Sequence, residues 1–375
     1  MENKEIEFVN KETETKKVDV IDSKCPSCGS ELSFDPKTQG LVCRNCNYKQ
    51  EINKNVENVE EYDYQTYLER YNSLKGNLPD EYEIKCSDCG ATIIVNASAI
   101  STTCPFCNSN RTIKQSSTNA PINIEGVVPF NVTSDQINNL FVNWIKKRFW
   151  APSNFKRGKK SPTYNAFYIP FWTYDSNTKS TYTAMRGDYY YVTVRVMVNG
   201  KSQTRRERRI RWTPVSGRCD INFDDVLVRG TSNILNKHVD NIKNYDLKKL
   251  NKFDEKFLLG YYAEKPSVDL EHGFADARKI MANVIQNKAR NQIGGDTISN
   301  LKINTVYSNI TFKQIMCPIY NGSYKFKNKT YNFLVNGQTA AISADYPKSI
   351  AKIISVISII LLLIIGIILI VYFFG

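Results

Sequence analysis

CPSCGSELSFDPKTQGLVCRNC, residues 25–46, decides how the rest of this chain is read. Cys25, Cys28, Cys43 and Cys46 stand in the pattern C-x2-C-x14-C-x2-C. A two-residue gap lets both sulfurs of a knuckle reach one metal, and two knuckles joined by a short hairpin close a tetrahedral four-thiolate site. Gly29 follows the second cysteine, where the turn needs a positive φ. The hairpin reads as 32–34, a turn over 35–40, and 41–42. Cys86, Cys89, Cys104 and Cys107 repeat the spacing, each displaced by 61 residues, with hairpin strands at 92–95 and 100–103. Gly90 matches Gly29, and Asn108 matches Asn47, a residue that also tolerates the turn. The duplicated pattern predicts two structural Zn2+ sites with no open position for catalysis. Iron would find the same ligands in a rubredoxin-like site, whereas disulfides would need an oxidising compartment.

The chain has 375 residues, enough for two or three domains with cores of their own. Its formal charge of +13 hides two unlike parts. Residues 1–120 hold 14 basic and 19 acidic side chains, a net of −5, which leaves 36 and 18, a net of +18, for the remainder. Two zinc-loaded thiolate sites would each add −2, making the ribbon half more acidic still. Lys24, Arg44, Lys49, Lys85 and Arg111 are outnumbered by carboxylates around the knuckles. A duplex-binding surface should be basic, so the ribbons read as folded spacers or protein-docking modules before they read as nucleic-acid binders.

The mean hydropathy of −0.40 hides one extreme segment. From Ile353 to Phe374 there is no charge, and only Ser355, Ser358, Gly366 and Tyr372 interrupt the aliphatic run. As a helix it measures about 33 Å, enough to cross a bilayer core. The N-terminus is polar and reads as no signal peptide, while Lys348 and Lys352 flank the span. The positive-inside rule then places residues 1–349 in the cytoplasm of a single-pass, tail-anchored protein at the cell membrane.

Between the ribbons, residues 60–76 read as a helix with Tyr64, Tyr67, Leu68, Tyr71 and Leu74 on one face. Such a stripe packs on an adjacent domain more often than it binds a partner. After 120 the composition turns aromatic. A strand is expected at 127–132, then a helix capped by Thr133 or Ser134, with Ile137, Leu140, Phe141, Trp144 and Ile145 on its apolar face. Further strands are expected at 167–175, at 192–198 returning through an Asn199–Gly200 turn to 212, and at 223–228. Helices at 234–250 and 270–293 precede short strands at 303–306, 311–319, 322–326, 330–336 and 339–343. PFW at 170–172 and CPIY at 317–320 hint at a second, weaker duplication.

The result is an α+β chain: a polar tail (1–22), zinc ribbon one (23–50), a helical linker (51–84) and zinc ribbon two (85–114). A mixed antiparallel-sheet and helix domain (121–345) and a transmembrane anchor (350–374) complete it.

The densest positive charge is RRERRIRW, with Arg205, Arg206, Arg208, Arg209 and Arg211 on both faces of the returning strand. Three readings stand open: a solvated edge that resists sheet-to-sheet pairing, a contact for anionic lipid headgroups, or a site for nucleic acid or an acidic partner. Catalytic motifs are missing, including a phosphate-binding G-x-x-x-x-G-K-[ST] loop, G-x-G-x-x-G after a strand, and H-E-x-x-H. His238 and His272 read as surface residues, and Cys219 and Cys317 as buried structural thiols. Asp224 and Asp225 are adjacent in a strand and should point to opposite faces, which rules them out as a paired acid–base site. The chain is therefore expected not to be an enzyme.

The tandem ribbons, RFWAPSNF (148–155), YIPFWTYD (168–175), RWTPVSG (211–217), FDDVLV (223–228), IGGD (293–296) and FLVNGQT (333–339) together resemble a prokaryotic family of TFIIB-type zinc-ribbon membrane proteins. The resemblance covers about residues 25–345. It implies a companion that helps recruit phage-shock (PspA-like) and SPFH/band 7 proteins to the membrane. A primosomal or helicase label also circulates for such proteins, and the lack of a nucleotide-binding motif argues against it. Asn47 and Asn108 depart from the family's usual glycine.

Overall fold

In the computed structural model, which describes residues 20–21, 24–52, 59–74, 81–85, 92–96, 99–103, 110–113, 124–158, 162–198, 201–231, 236–264, 266–327 and 329–374, the chain is mixed α+β around a large, mainly antiparallel sheet. The cysteine-bearing segment near the N-terminal end supplies β1 (Leu32–Asp35), β2 (Gly40–Cys43) and β3 (Lys49–Glu51), an antiparallel meander. Helix α1 (Tyr64–Leu74) lays Tyr64, Tyr67 and Leu68 against Trp172, Tyr174, Phe274 and Phe312. Its aromatic stripe therefore packs on the central domain at those positions. The side chains of Tyr71 and Leu74 lie outside the described residues.

The central domain runs β4 (Gly126–Val127), α2 (Ser134–Lys146), α3 (Ser153–Arg157), β5 (Thr163–Val198), β6 (Lys201–Arg229) and α4 (Asn236–Ile242). It continues through β7 (Tyr262–Glu264), α5 (Leu270–Ile293), β8 (Thr297–Phe326), β9 (Lys329–Asn336) and β10 (Ile342–Ala344). The apolar α6 (Ile350–Phe374) follows.

The expected duplication is built into this topology. Two β-α-β-β units, β4–α2–β5–β6 and β7–α5–β8–β9, meet about the pair Ile169↔Cys317. Each short first strand runs parallel to the long strand of the other unit, Gly126↔Ile315 on one side and Phe167↔Tyr262 on the other. Pro170 and Pro318 sit where a long strand exchanges one outer partner for the next, just before Phe171↔Arg229 and Ile319↔Asn336. A proline has no N–H for an unbroken central ladder, so this is where a strand tolerates one.

Each unit ends at a glycine with the same bonds. Gly230 and Gly337 donate to the Pro170 and Pro318 carbonyls at 2.9 and 2.8 Å. Their own carbonyls accept from Ser267 and Val268, and from Asn131 and Val132. Trp172 Nε1 donates to the Val268 carbonyl and Tyr320 hydroxyl to the Val132 carbonyl, at 2.9 and 2.7 Å. A Cβ at Gly230 would stand 2.9 Å from the Pro170 oxygen, and one at Gly337 2.5 Å from the Phe130 ring. That crowding explains why only glycine fits.

Several expected strands prove to be single long ones. Those at 167–175 and 192–198 are both in β5, those at 200–212 and 223–228 in β6, and the three from 303 to 326 in β8. Helix α5 makes this possible. Its Leu270, Phe274, Ala277, Met281, Ile285, Ala289 and Ile293 form one buried stripe along β5 and β6, so side chains that look like breaks in an isolated strand are covered. The helix expected at 234–250 stops at Ile242, and only a 3-10 turn at Leu247–Lys249 remains. At 127–132, only Gly126–Val127 pairs before the chain turns into α2.

The hairpin expected at 92–95 and 100–103 is also rearranged. Thr92–Asn96 pairs with Glu81–Lys85, while Ala99–Thr103 joins β7 of the main sheet through Ser101↔Ala263. The edge of β7 thereby gains a partner instead of lying open.

Candidate metal centre and charged surfaces

Cys25, Cys28, Cys43 and Cys46 come together as the spacing predicts, with all four sulfurs within 4.8 Å of one another. Cys25 and Cys46 are 3.5 Å apart, as are Cys28 and Cys43. These are free thiols, well beyond disulfide length. The edge of a zinc–thiolate tetrahedron is about 3.8 Å, so the quartet is compatible with one tetrahedral ion.

The two knuckles are near copies. Gly29 and Asn47 adopt φ of 71° and 60°, so asparagine makes the turn that glycine makes in its partner. Their N–H groups donate to Cys25 and Cys43 carbonyls at 2.8 and 2.9 Å. Hydrogen bonds to Ser30 hold the Cys28 thiol down to about 6. The Tyr48 N–H lowers Cys46, but burial and the neighbouring sulfurs outweigh it and push it up to about 11. Four sulfurs this close resist ionising together, and a dication removes that conflict.

The ribbon is seated on the central domain. Phe34 donates from its N–H to the Leu259 carbonyl at 3.0 Å, and its ring lies 5.4 Å from that of Phe257. Gln39 Nε2 reaches the Phe130 carbonyl at 2.7 Å. The hairpin between the two cysteine knuckles thus closes one end of the core. Cys86, Cys89, Cys104 and Cys107 lie outside the described residues.

The arginine-rich strand forms the tip of a long arm. Beyond Gly187↔Thr297 only β5 and β6 continue, as a two-stranded ribbon over 188–211. Arg206 lies over the Tyr191 ring at 5.2 Å, Arg208 over Tyr189 at 4.4 Å and Arg211 over Tyr190 at 5.4 Å. Arg205 and Arg209 are exposed beside them. Tyr191, Met197, Ile210 and Trp212 are also open to solvent. The arm starts at Thr163, so the arginines, paired opposite Asp188 to Val194, lie on the order of 80–100 Å of strand from the α2 end of the domain.

Two polar clusters escaped the sequence. Lys313, 7% exposed, places Nζ 2.6 Å from both Glu61 Oε1 and Asp225 Oδ1. Asp225 has φ of 53° beside a register slip at Tyr174/Ser176, and its N–H donates to Asp175 Oδ1 at 2.6 Å. The bulge thus turns Asp225 toward a buried ion group, which strict strand alternation could not foresee. Burial raises Glu61, but Lys313 outweighs it and holds the carboxyl below its ordinary value. Burial, with Glu61 alongside, pushes Asp175 up to about 6 against the Asp225 N–H.

His238 is buried at 2% exposure, contrary to its expected surface position. Its Nδ1 is 2.8 Å from Ser343 Oγ, and its Nε2 3.1 Å from Asp345 Oδ2. A hydrolytic triad needs an accessible serine and a sheltered acid. Here Ser343 is buried, while the Asp345 side chain is 48% exposed. The arrangement pins α4 to β10. His272 is exposed and bonded to Asp269, the α5 N-cap, and Cys219 and Cys317 are buried, as expected.

Helix α6 is long and apolar enough to cross a membrane over Ile350–Tyr372, and none of its most apolar window is buried.

No family model matches the chain, and no solved structure matches it. Among curated proteins it is similar to the uncharacterized protein YdjG of Bacillus subtilis (strain 168), with 25% identity over 345 residues, 89% of this chain and 92% of that protein.

Proposed function

We propose that this protein is a non-enzymatic, tail-anchored adaptor of the TFIIB-type zinc-ribbon membrane class. It holds soluble membrane-stress proteins, of SPFH/band 7 or PspA-like type, at the cytoplasmic face of the cell membrane. The supporting observation is the arm: a long, helix-backed β-ribbon whose tip presents Arg205, Arg206, Arg208, Arg209 and Arg211 beside exposed tyrosines, at the far end from the anchor. Arginine and aromatic side chains are the residues that dominate protein interfaces, and an acidic partner matches their charge. Zn2+ held by Cys25, Cys28, Cys43 and Cys46, with a second ion at Cys86, Cys89, Cys104 and Cys107, serves as a structural clasp. The test is cell fractionation. A PspA-like protein should sediment with membranes when the full chain is present and stay soluble when α6 is deleted; unchanged partitioning argues against recruitment.

A second reading is membrane-tethered nucleic-acid binding in replication or transcription, favoured by the tyrosines interleaved with arginine at the same tip. It predicts DNA binding that weakens steeply with salt and is lost on Arg205/Arg206/Arg208/Arg209→Ala.

A further inference from the structure

We infer that a basic, aromatic collar at the root of α6 is a docking surface for anionic phospholipid headgroups, and that it fixes the orientation of the domain on the bilayer. This rests on reading α6 as a membrane span.

The anchor is clamped to the domain. Ser349 donates from its N–H to the Trp150 carbonyl at 2.8 Å. Lys352, in the first turn of α6, donates from Nζ to the Phe149 and Ala151 carbonyls at 3.0 and 2.9 Å. The same ammonium lies 5.6 Å from the centre of the Phe149 ring. Trp144 meets Tyr346 edge-on at 5.7 Å, and Arg148 covers the other side of the collar at 4.1 Å from the Trp144 ring. The loop 148–151 is therefore held level with Lys352, one residue before the uncharged run begins at Ile353. That is headgroup depth for any bilayer that α6 crosses.

The composition of this loop fits its depth. From Lys146 to Lys160 the sequence holds seven basic residues and no acidic one. Phe149 is 61% exposed, with its ring edge-on to Trp150 at 5.0 Å. The C-terminus of α2 accounts for Lys146 in its last turn and for Lys156, whose Nζ donates to the Lys146 carbonyl at 3.0 Å, but not for Lys147, for Arg157 on α3 or for an exposed phenyl ring. Apolar rings at the interface with basic side chains around them are what a lipid surface selects. Arg205–Arg211 lie at the other end of the arm, so nearness to the anchor assigns lipid contact to the collar rather than to that ribbon.

The test reconstitutes the full chain into nanodiscs of phosphatidylcholine alone or with about a third phosphatidylglycerol. A water-soluble amine reagent labels the lysines, and mass spectrometry reads each site. Lys146 and Lys147, both exposed, should be protected about fivefold or more in the anionic discs, and protection should fade in about 0.5 M salt. Lys179 and Lys302 on the arm should label equally in both. Equal labelling of the collar in both discs overturns the inference while leaving the anchor standing. Carbonate extraction of native membranes separates the other failure: release of the chain overturns the anchor reading and the collar with it.

Discussion

Replacing Lys313 with methionine tests the charge group that its buried ammonium holds together. Lys313 bridges Glu61 and Asp225 at 2.6 Å each, with Asp175 bonded to the Asp225 N–H beside them. Removing the cation leaves three partly exposed carboxylates crowded together. Breaking one side of a buried pair costs about 3–5 kcal/mol. Glu61 keeps 35% of its side-chain exposure, and that solvent screening argues for about 3 kcal/mol here. For a domain of this size the melting midpoint should fall by roughly 6–12 °C.

The sign of the pH dependence follows from the same geometry. Without Lys313 the folded-state carboxyls titrate above their unfolded values. The protein then loses stability as pH rises through those raised values and recovers some as pH falls. Thermal unfolding of the full chain in detergent, followed by the fluorescence of buried Trp172, should show a larger deficit at pH 8 than at pH 5. Adding Glu61→Gln and Asp225→Asn to the Lys313→Met variant should restore most of the loss. A deficit under about 1 kcal/mol, or one that is flat between pH 5 and 8, would refute the reasoning.

Three other perturbations test separate parts of the account. Cys25→Ser should reduce zinc in freshly purified protein from two ions per chain to one by elemental analysis; unchanged content would remove the first site from the account. Tyr320→Phe deletes the bond to the Val132 carbonyl that mirrors Trp172 to Val268, and should cost about 1–2 kcal/mol in thermal unfolding. Gly337→Ala should destabilise by about 1–3 kcal/mol because its Cβ meets the immobile Phe130 ring, and a neutral result would deny that crowding.

What the sequence revealed, and what it hid, has a physical pattern. Local chemistry was legible: the knuckle spacing placed four sulfurs together, Thr133 began α2, and Leu270–Ile293 ran as read to Gly294, whose φ of 62° stops it. The apolar helix read at 350–374 matched α6 to the residue. Long-range chemistry was not legible. Whether β5 is one strand or two depends on α5 lying over it, some hundred residues later. His238 was misplaced because its helix is polar in sequence, yet Ser343 and Asp345, about a hundred residues further along the chain, close over it. Asp225 was misplaced because a bulge breaks the two-residue alternation on which the sequence reading relied. The duplication left only traces in the sequence, since backbone carbonyls and glycines carry it and an indole N–H at Trp172 makes the bond that a phenol O–H makes at Tyr320.

The adaptor claim is tested most directly by affinity isolation of the full chain from solubilised native membranes, beside a form with Arg205, Arg206, Arg208 and Arg209 changed to Glu. The unmodified chain should carry an SPFH/band 7 or PspA-like protein in stoichiometric amount, and the charge-reversed arm should lose it while keeping its melting midpoint and its zinc. Equal recovery of that partner with both forms, or recovery of nucleic acid in its place, would contradict the account.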